Sequence, residues 1–148
     1  VLETIINFND ALAGWKIPEE NVKEADVKKK FLVIGGGLAG LEAAYMLKKR
    51  GHHVVLCEAS NKLGGQINIA CIPISKQELT KVVKYLVTRL HKNNIEVRMN
   101  TTVTKEMIES EFKDYEIICA YGANYNVGYY KRTSDYRDFF IFLRDNAD

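Results

Sequence analysis

Short apolar runs alternate with amphipathic stretches along most of the chain. "FLVIG", beginning at Phe31, is continuous apolar sequence and reads as a strand. A helical pattern follows from about Leu38 to Arg50 and stops at Gly51, and "HVVLCE" after it is β-branched and apolar enough for a strand buried on both faces. "SKQELTKVVKYLVTRLHKNN" places Leu79, Val82, Val83, Leu86 and Leu90 on one helical face, with Ser75 as cap and Glu78 three residues later. "IEVRMN" then reads as a short strand, "TKEMIESEF" as a short helix, and "YEIICAYGA" as a further strand running into a glycine turn. Such alternation predicts an α/β fold of Rossmann type, a parallel sheet with helices on both faces.

The flanks read differently. Ile5, Phe8, Ala11, Leu12 and Trp15 recur at helical spacing, closed by Gly14 and Pro18, and "EENVKEADVKKK" is a charged, solvated connection into the first strand. At the other end Tyr136, Phe139, Phe140 and Leu143 line one face of a closing helix with Ser134 or Asp135 as its cap. The expected organisation is a single domain over 1–148: a lead-in over 1–30, a motif-bearing core over 31–123 and a divergent tail over 124–148.

Composition narrows the partners. With 21 basic and 19 acidic side chains interspersed, the formal charge of +2 sets up no one-sided field for nucleic acid or an anionic membrane. The tyrosines and cations of the tail resemble a base-stacking surface only superficially. No apolar run reaches the roughly 18 residues a membrane span requires, and no cleavable leader is visible, so a cytoplasmic protein is expected. A chain that begins at Val1 suggests a processed protein or a piece of a longer one. Cys57, Cys71 and Cys119 are odd in number and far apart, which fits small buried hydrophobes in a reducing compartment and no metal site. His52, His53 and His91 are unspaced for a metal and read as solvated.

The chemistry concentrates where the first strand meets the first helix, in Gly35-x-Gly37-x-x-Gly40. A glycine inside a helix costs roughly 1 kcal/mol relative to alanine, so repeated glycines at one corner imply a need for bare backbone. Gly35 allows the tight turn, Gly37 leaves room for a pyrophosphate against the main chain, and Gly40 lets the helix lie close to the sheet. The helix start offers unpaired N–H groups and a positive dipole end to the phosphates. Glu58 lies at the far end of the second strand, about 20 residues on, where a carboxylate accepts hydrogen bonds from ribose hydroxyls. A 2′-phosphate at about 4 Å from it would cost about 4 kcal/mol per unit charge at an effective dielectric near 20, roughly a thousandfold in affinity. NADP is therefore disfavoured, leaving FAD, NAD or ADP.

From "ASNKLGGQINIACIP" onward the chain resembles a particular group, the flavin-binding C-terminal half of the NADH:flavin oxidoreductases related to 2,4-dienoyl-CoA reductase, enoate reductase and trimethylamine dehydrogenase. The shared marks are Glu58; Leu63-Gly64-Gly65-Gln66; Ala70, Pro73, Lys76 and Glu78; Asn100 and Val103; and Ala120-Tyr121-Gly122-Ala123. They span about residues 31 to 123. The resemblance implies FAD as cofactor, its pyrophosphate on Gly35 to Gly40 and its ribose on Glu58. Gly64 and Gly65 would keep a loop slim beside the phosphates, and Gln66 would lie toward the flavin. The resulting candidate cofactor-binding set is Gly35, Gly37, Leu38, Ala39, Gly40, Glu58, Ala59, Gly64, Gly65, Gln66, Ala120, Tyr121 and Gly122.

This chain departs from the group in ways that bear on function. Leu38 stands where the group usually has proline at the first helical position, a feature also of the group's NAD-binding unit. Tyr121 replaces the threonine of the glycine turn. "NFNDALAGW" resembles the lead-in to the NAD unit, so NAD(H) binding is an alternative to FAD, and one branch of the group holds only ADP here. The group's iron–sulfur cysteines and flavin-bearing barrel do not occur in these 148 residues, and the resemblance implies an FMN-barrel portion elsewhere. No residue presents itself as an acid, base or nucleophile for catalysis.

Overall fold

The computed structural model describes residues 22–122. The helices expected over Ile5 to Trp15 and Tyr136 to Leu143 lie outside them. Within them the order is β1 (Lys30–Ile34), α1 (Leu38–Lys49), β2 (His53–Cys57), α2 (Ile67–Ala70), a 3-10 turn (Ile74–Lys76), α3 (Leu79–Lys92), β3 (Glu96–Arg98), α4 (Lys105–Ser110) and β4 (Glu116–Cys119). The sheet runs β3-β2-β1-β4 with every neighbouring pair parallel. The chain thus steps outward from β1 to β3 and then returns to the opposite side of β1. That reversal is the place where open α/β sheets bind ligands, outside the carboxyl ends of the strands.

Parallel neighbours need crossover connections, so the central strands are covered on both faces. Leu32, Val33, Val54, Val55 and Leu56 are accordingly at most 2 % exposed. On one face Val33, Val54 and Leu56 meet Leu41, Ala44 and Tyr45 of α1 and Leu86 and Leu90 of α3. On the other, Leu32, Val55 and Cys57 meet Phe112, with Met107 of α4 against them. The helices therefore lie on both faces, but among the described residues the second face carries only a six-residue helix. Ile117 of β4 is left 39 % exposed as a result. α1 and α3 are joined by Arg89, which donates to Glu42 at 2.8 Å and lies over the Tyr45 ring at 3.4 Å.

Local expectations failed where tertiary contacts intervened. Ser75 does not cap α3: Pro73 opens the 3-10 turn, Gln77 and Glu78 keep helical dihedrals, and the helix starts at Leu79 without an extended cap residue. His52 is buried, not solvated; its Nδ1 accepts the Lys29 N–H at 3.2 Å and its ring meets Phe31 edge-on. Of the cysteines only Cys57 is buried, whereas Cys71 is half-buried and Cys119 exposed, because β4 is not covered by the helices described.

Candidate functional site

β1 leads directly into the glycine corner. Gly35 has φ +111°, and a Cβ there would stand 2.5 Å from the carbonyl oxygen of Ala120 and 2.9 Å from Tyr121 Cα. Both the left-handed backbone and the continuation of β4 exclude a side chain. Its N–H donates to Cys57 O at 2.8 Å, and the Ala120 N–H donates to Ile34 O at 2.8 Å, so the corner is held from both sides. At Gly40 a Cβ would fall on the carbonyl oxygen of Gly35, which is how α1 comes to press against the sheet. Gly37 differs from both. Among the described residues no atom lies within 4 Å of the place its Cβ would take, so their packing gives no reason for a glycine there.

α1 begins on Gly37 with no side-chain cap and no acidic residue in its first turn. Its first ladder bond runs from the Leu41 N–H to Gly37 O at 2.9 Å, leaving the amides of Leu38, Ala39 and Gly40 outside the ladder. A helix start of this kind, with its positive end uncompensated, is a ready anion seat.

Glu58 stands beside it, one residue past β2. Its Oε2 accepts the Gly36 N–H at 2.6 Å and its Oε1 accepts the Ser60 N–H at 2.8 Å. Burial pushes its pKa up, but the hydrogen bonds from Ser60 and Gly36 outweigh that and hold it below the usual carboxylate range. An ionised carboxylate has about four acceptor positions, so the two amides leave capacity for hydroxyls. The Glu58 carbonyl also accepts the Thr101 N–H at 2.8 Å, which brings the loop after β3 alongside.

The remaining candidates gather unevenly. The Gly64 N–H donates to Gly36 O at 2.8 Å, and a Cβ on Gly65 would come 3.1 Å from Gly37 Cα, so the loop lies across the corner. Both glycines have positive φ, +114° and +53°. Gln66 and Ala59 are exposed, and Gln66 makes no capping bond to α2. Gly122 has φ +70°, and among the described residues none comes within 4 Å of where its Cβ would stand. A crevice of about 670 Å³ covers the carboxyl ends of β1, β2 and β4, lined by Ile34, Gly35, Cys57, Glu58, Thr101 to Val103, Cys119 and Tyr121 among others. That volume lies in the ordinary range for small-molecule sites. Burial pushes the Cys57 thiol up, so it stays protonated and inert. Sequence reasoning missed Gly36, Ser60, Thr101 and Thr102. Only Gly36, inside the glycine motif, had any signal, because the others act through main-chain atoms or loop position.

Sheet order, glycine corner and strand-end acid define a Rossmann-type α/β domain of the class that oxidoreductases use to hold dinucleotides. The chain belongs to the pyridine nucleotide-disulphide oxidoreductase family, whose model matches residues 16–129. Among relatives, it is 41% identical over 102 residues to a bilirubin reductase of Mediterraneibacter gnavus, covering 69% of this chain and 16% of that protein. It is 38% identical over 107 residues to an NADH oxidase of Thermoanaerobacter brockii, covering 72% and 16%. Among solved structures, the histamine dehydrogenase from Rhizobium sp. 4-9 aligns with a TM-score of 0.64 at 28% identity, over 69% of this chain and 15% of that one. The likeness to the NADH:flavin oxidoreductase group read from the motifs is borne out. The chain spans about 16% of the length of these curated relatives. No described helix is long and apolar enough to cross a membrane.

Proposed function

We propose that the chain is the FAD-binding domain of a larger flavin-dependent NAD(P)H oxidoreductase. The observation that carries this reading is Gly37, for which the described residues give no packing reason, at an uncapped helix start beside a carboxylate that backbone amides hold in place. The amides of Leu38, Ala39 and Gly40 would take the diphosphate, and Glu58 would take the adenosine ribose. Gly64 and Gly65 keep the facing loop thin. Bound FAD would supply the redox chemistry, and this chain's residues would bind it, orient it and keep a 2′-phosphorylated nucleotide out. An FMN-bearing barrel on the remainder of the enzyme is the proposed partner, and the cytoplasm the proposed location.

An absorbance spectrum of the purified chain, with calorimetric titration of FAD, NAD and ADP, tests the reading. Flavin absorbance or FAD binding is expected. Failure to bind any of the three refutes it. Binding of ADP with indifference to the flavin half favours a second reading, an adenine-nucleotide-holding domain without turnover. Binding of NADH in preference to FAD identifies the NAD unit of the same group.

A further inference from the structure

The crevice that Glu58 helps to line also has an aromatic residue in its lining. Tyr121 borders the same crevice as Glu58 and Ala59 and is 70% exposed. Its main chain lies hard against the corner, with Tyr121 Cα 2.9 Å from the place of a Gly35 Cβ, so the ring's origin is fixed relative to the ligand seat. Among the described residues no hydrogen bond, ion pair or ring contact engages it. A ring that exposed fills little of the crevice and so does not plug it. The crevice is lined mainly by apolar surface, Ile34, Cys57 and Val103 among it, and a base joined to a ribose on Glu58 would be tethered to it by one glycosidic bond.

We propose that Tyr121 is a further binding residue of this site, the platform on which the purine of the bound nucleotide stacks. This rests on the reading of the corner as a nucleotide-diphosphate seat. The stack needs the ring and not the hydroxyl, since base–aromatic stacking draws on the π-face.

The test is calorimetric titration of the full chain with ADP, for the unaltered protein, Tyr121→Thr and Tyr121→Phe. Tyr121→Thr, which installs the residue expected there by resemblance, weakens ADP binding about tenfold, while Tyr121→Phe stays within about twofold. Thermal midpoints of all three coincide, because the side chain buries little surface in the unliganded protein. ADP binding unchanged or tightened in Tyr121→Thr overturns the proposal, as does a Tyr121→Phe loss equal to that of threonine. An unaltered chain that binds no ADP overturns the diphosphate reading itself, and this proposal with it.

Discussion

Gly40→Ala sets two physical effects against each other. Inside a helix alanine is favoured over glycine by about 1 kcal/mol, and Gly40 lies in the first turn of α1, so propensity alone makes the substitution stabilising. The tertiary contact reverses the sign. The new methyl group would fall on the carbonyl oxygen of Gly35, with the carbonyl carbon at 3.0 Å and Ala120 Cβ at 3.4 Å. The first two of these are main-chain atoms, and the corner they belong to is tied at 2.8 Å to Cys57 O. Relief requires α1 to retreat by roughly 1 Å, which opens contacts around the buried Leu41, Ala44 and Tyr45. Overpacking costs about 1–3 kcal/mol, and main chain that cannot give way belongs at the upper end, so the net loss is about 2 kcal/mol. For a chain of 148 residues that lowers the thermal midpoint by about 4–8 °C. Urea and thermal unfolding followed by far-UV circular dichroism measure it, with the urea slope expected unchanged. A midpoint equal to or above that of the unaltered chain refutes the claim that helix–sheet contact demands this glycine.

Three further outcomes separate folding from binding. Gly37→Val, at the site with open space where the Cβ would go, costs no more than about 1 kcal/mol of stability through the altered cap, yet weakens ADP binding about tenfold or more; intact titration of the variant contradicts the diphosphate seat. Glu58→Gln turns an –NH2 toward a backbone N–H and loses about 1–3 kcal/mol at neutral pH. Because the folded pKa of Glu58 is lowered, its contribution is present above the unfolded pKa and disappears as pH falls through the folded one, so the two proteins' urea midpoints converge on acidification. Parallel profiles would count against that. Arg89→Lys keeps the charge but loses the planar stack on Tyr45 and the fork toward Glu42, lowering stability by about 1 kcal/mol in urea unfolding while ADP affinity stays constant; an unchanged midpoint shows that the clamp between α1 and α3 carries no weight.

Much of the domain is written locally. Continuous apolar runs at Phe31 and His53 specify strands buried on both faces, and the spacing of Leu86 and Leu90 specifies which side of α3 turns inward, because backbone geometry alone sets these periods. The glycine spacing and Glu58 are likewise legible, since turn, helix start and strand end follow one another along a single crossover. Other features depend on residues far apart in sequence. That Gly35 must be bare is decided by Ala120 and Tyr121, which follow β4 and arrive from about 85 residues along the chain. The anchoring of Glu58 by Gly36, the burial of His52 against Phe31 and the exposure of Cys119 arise the same way. A side chain's identity states what it can bond; only the closure of the sheet determines which partners and how much water reach it.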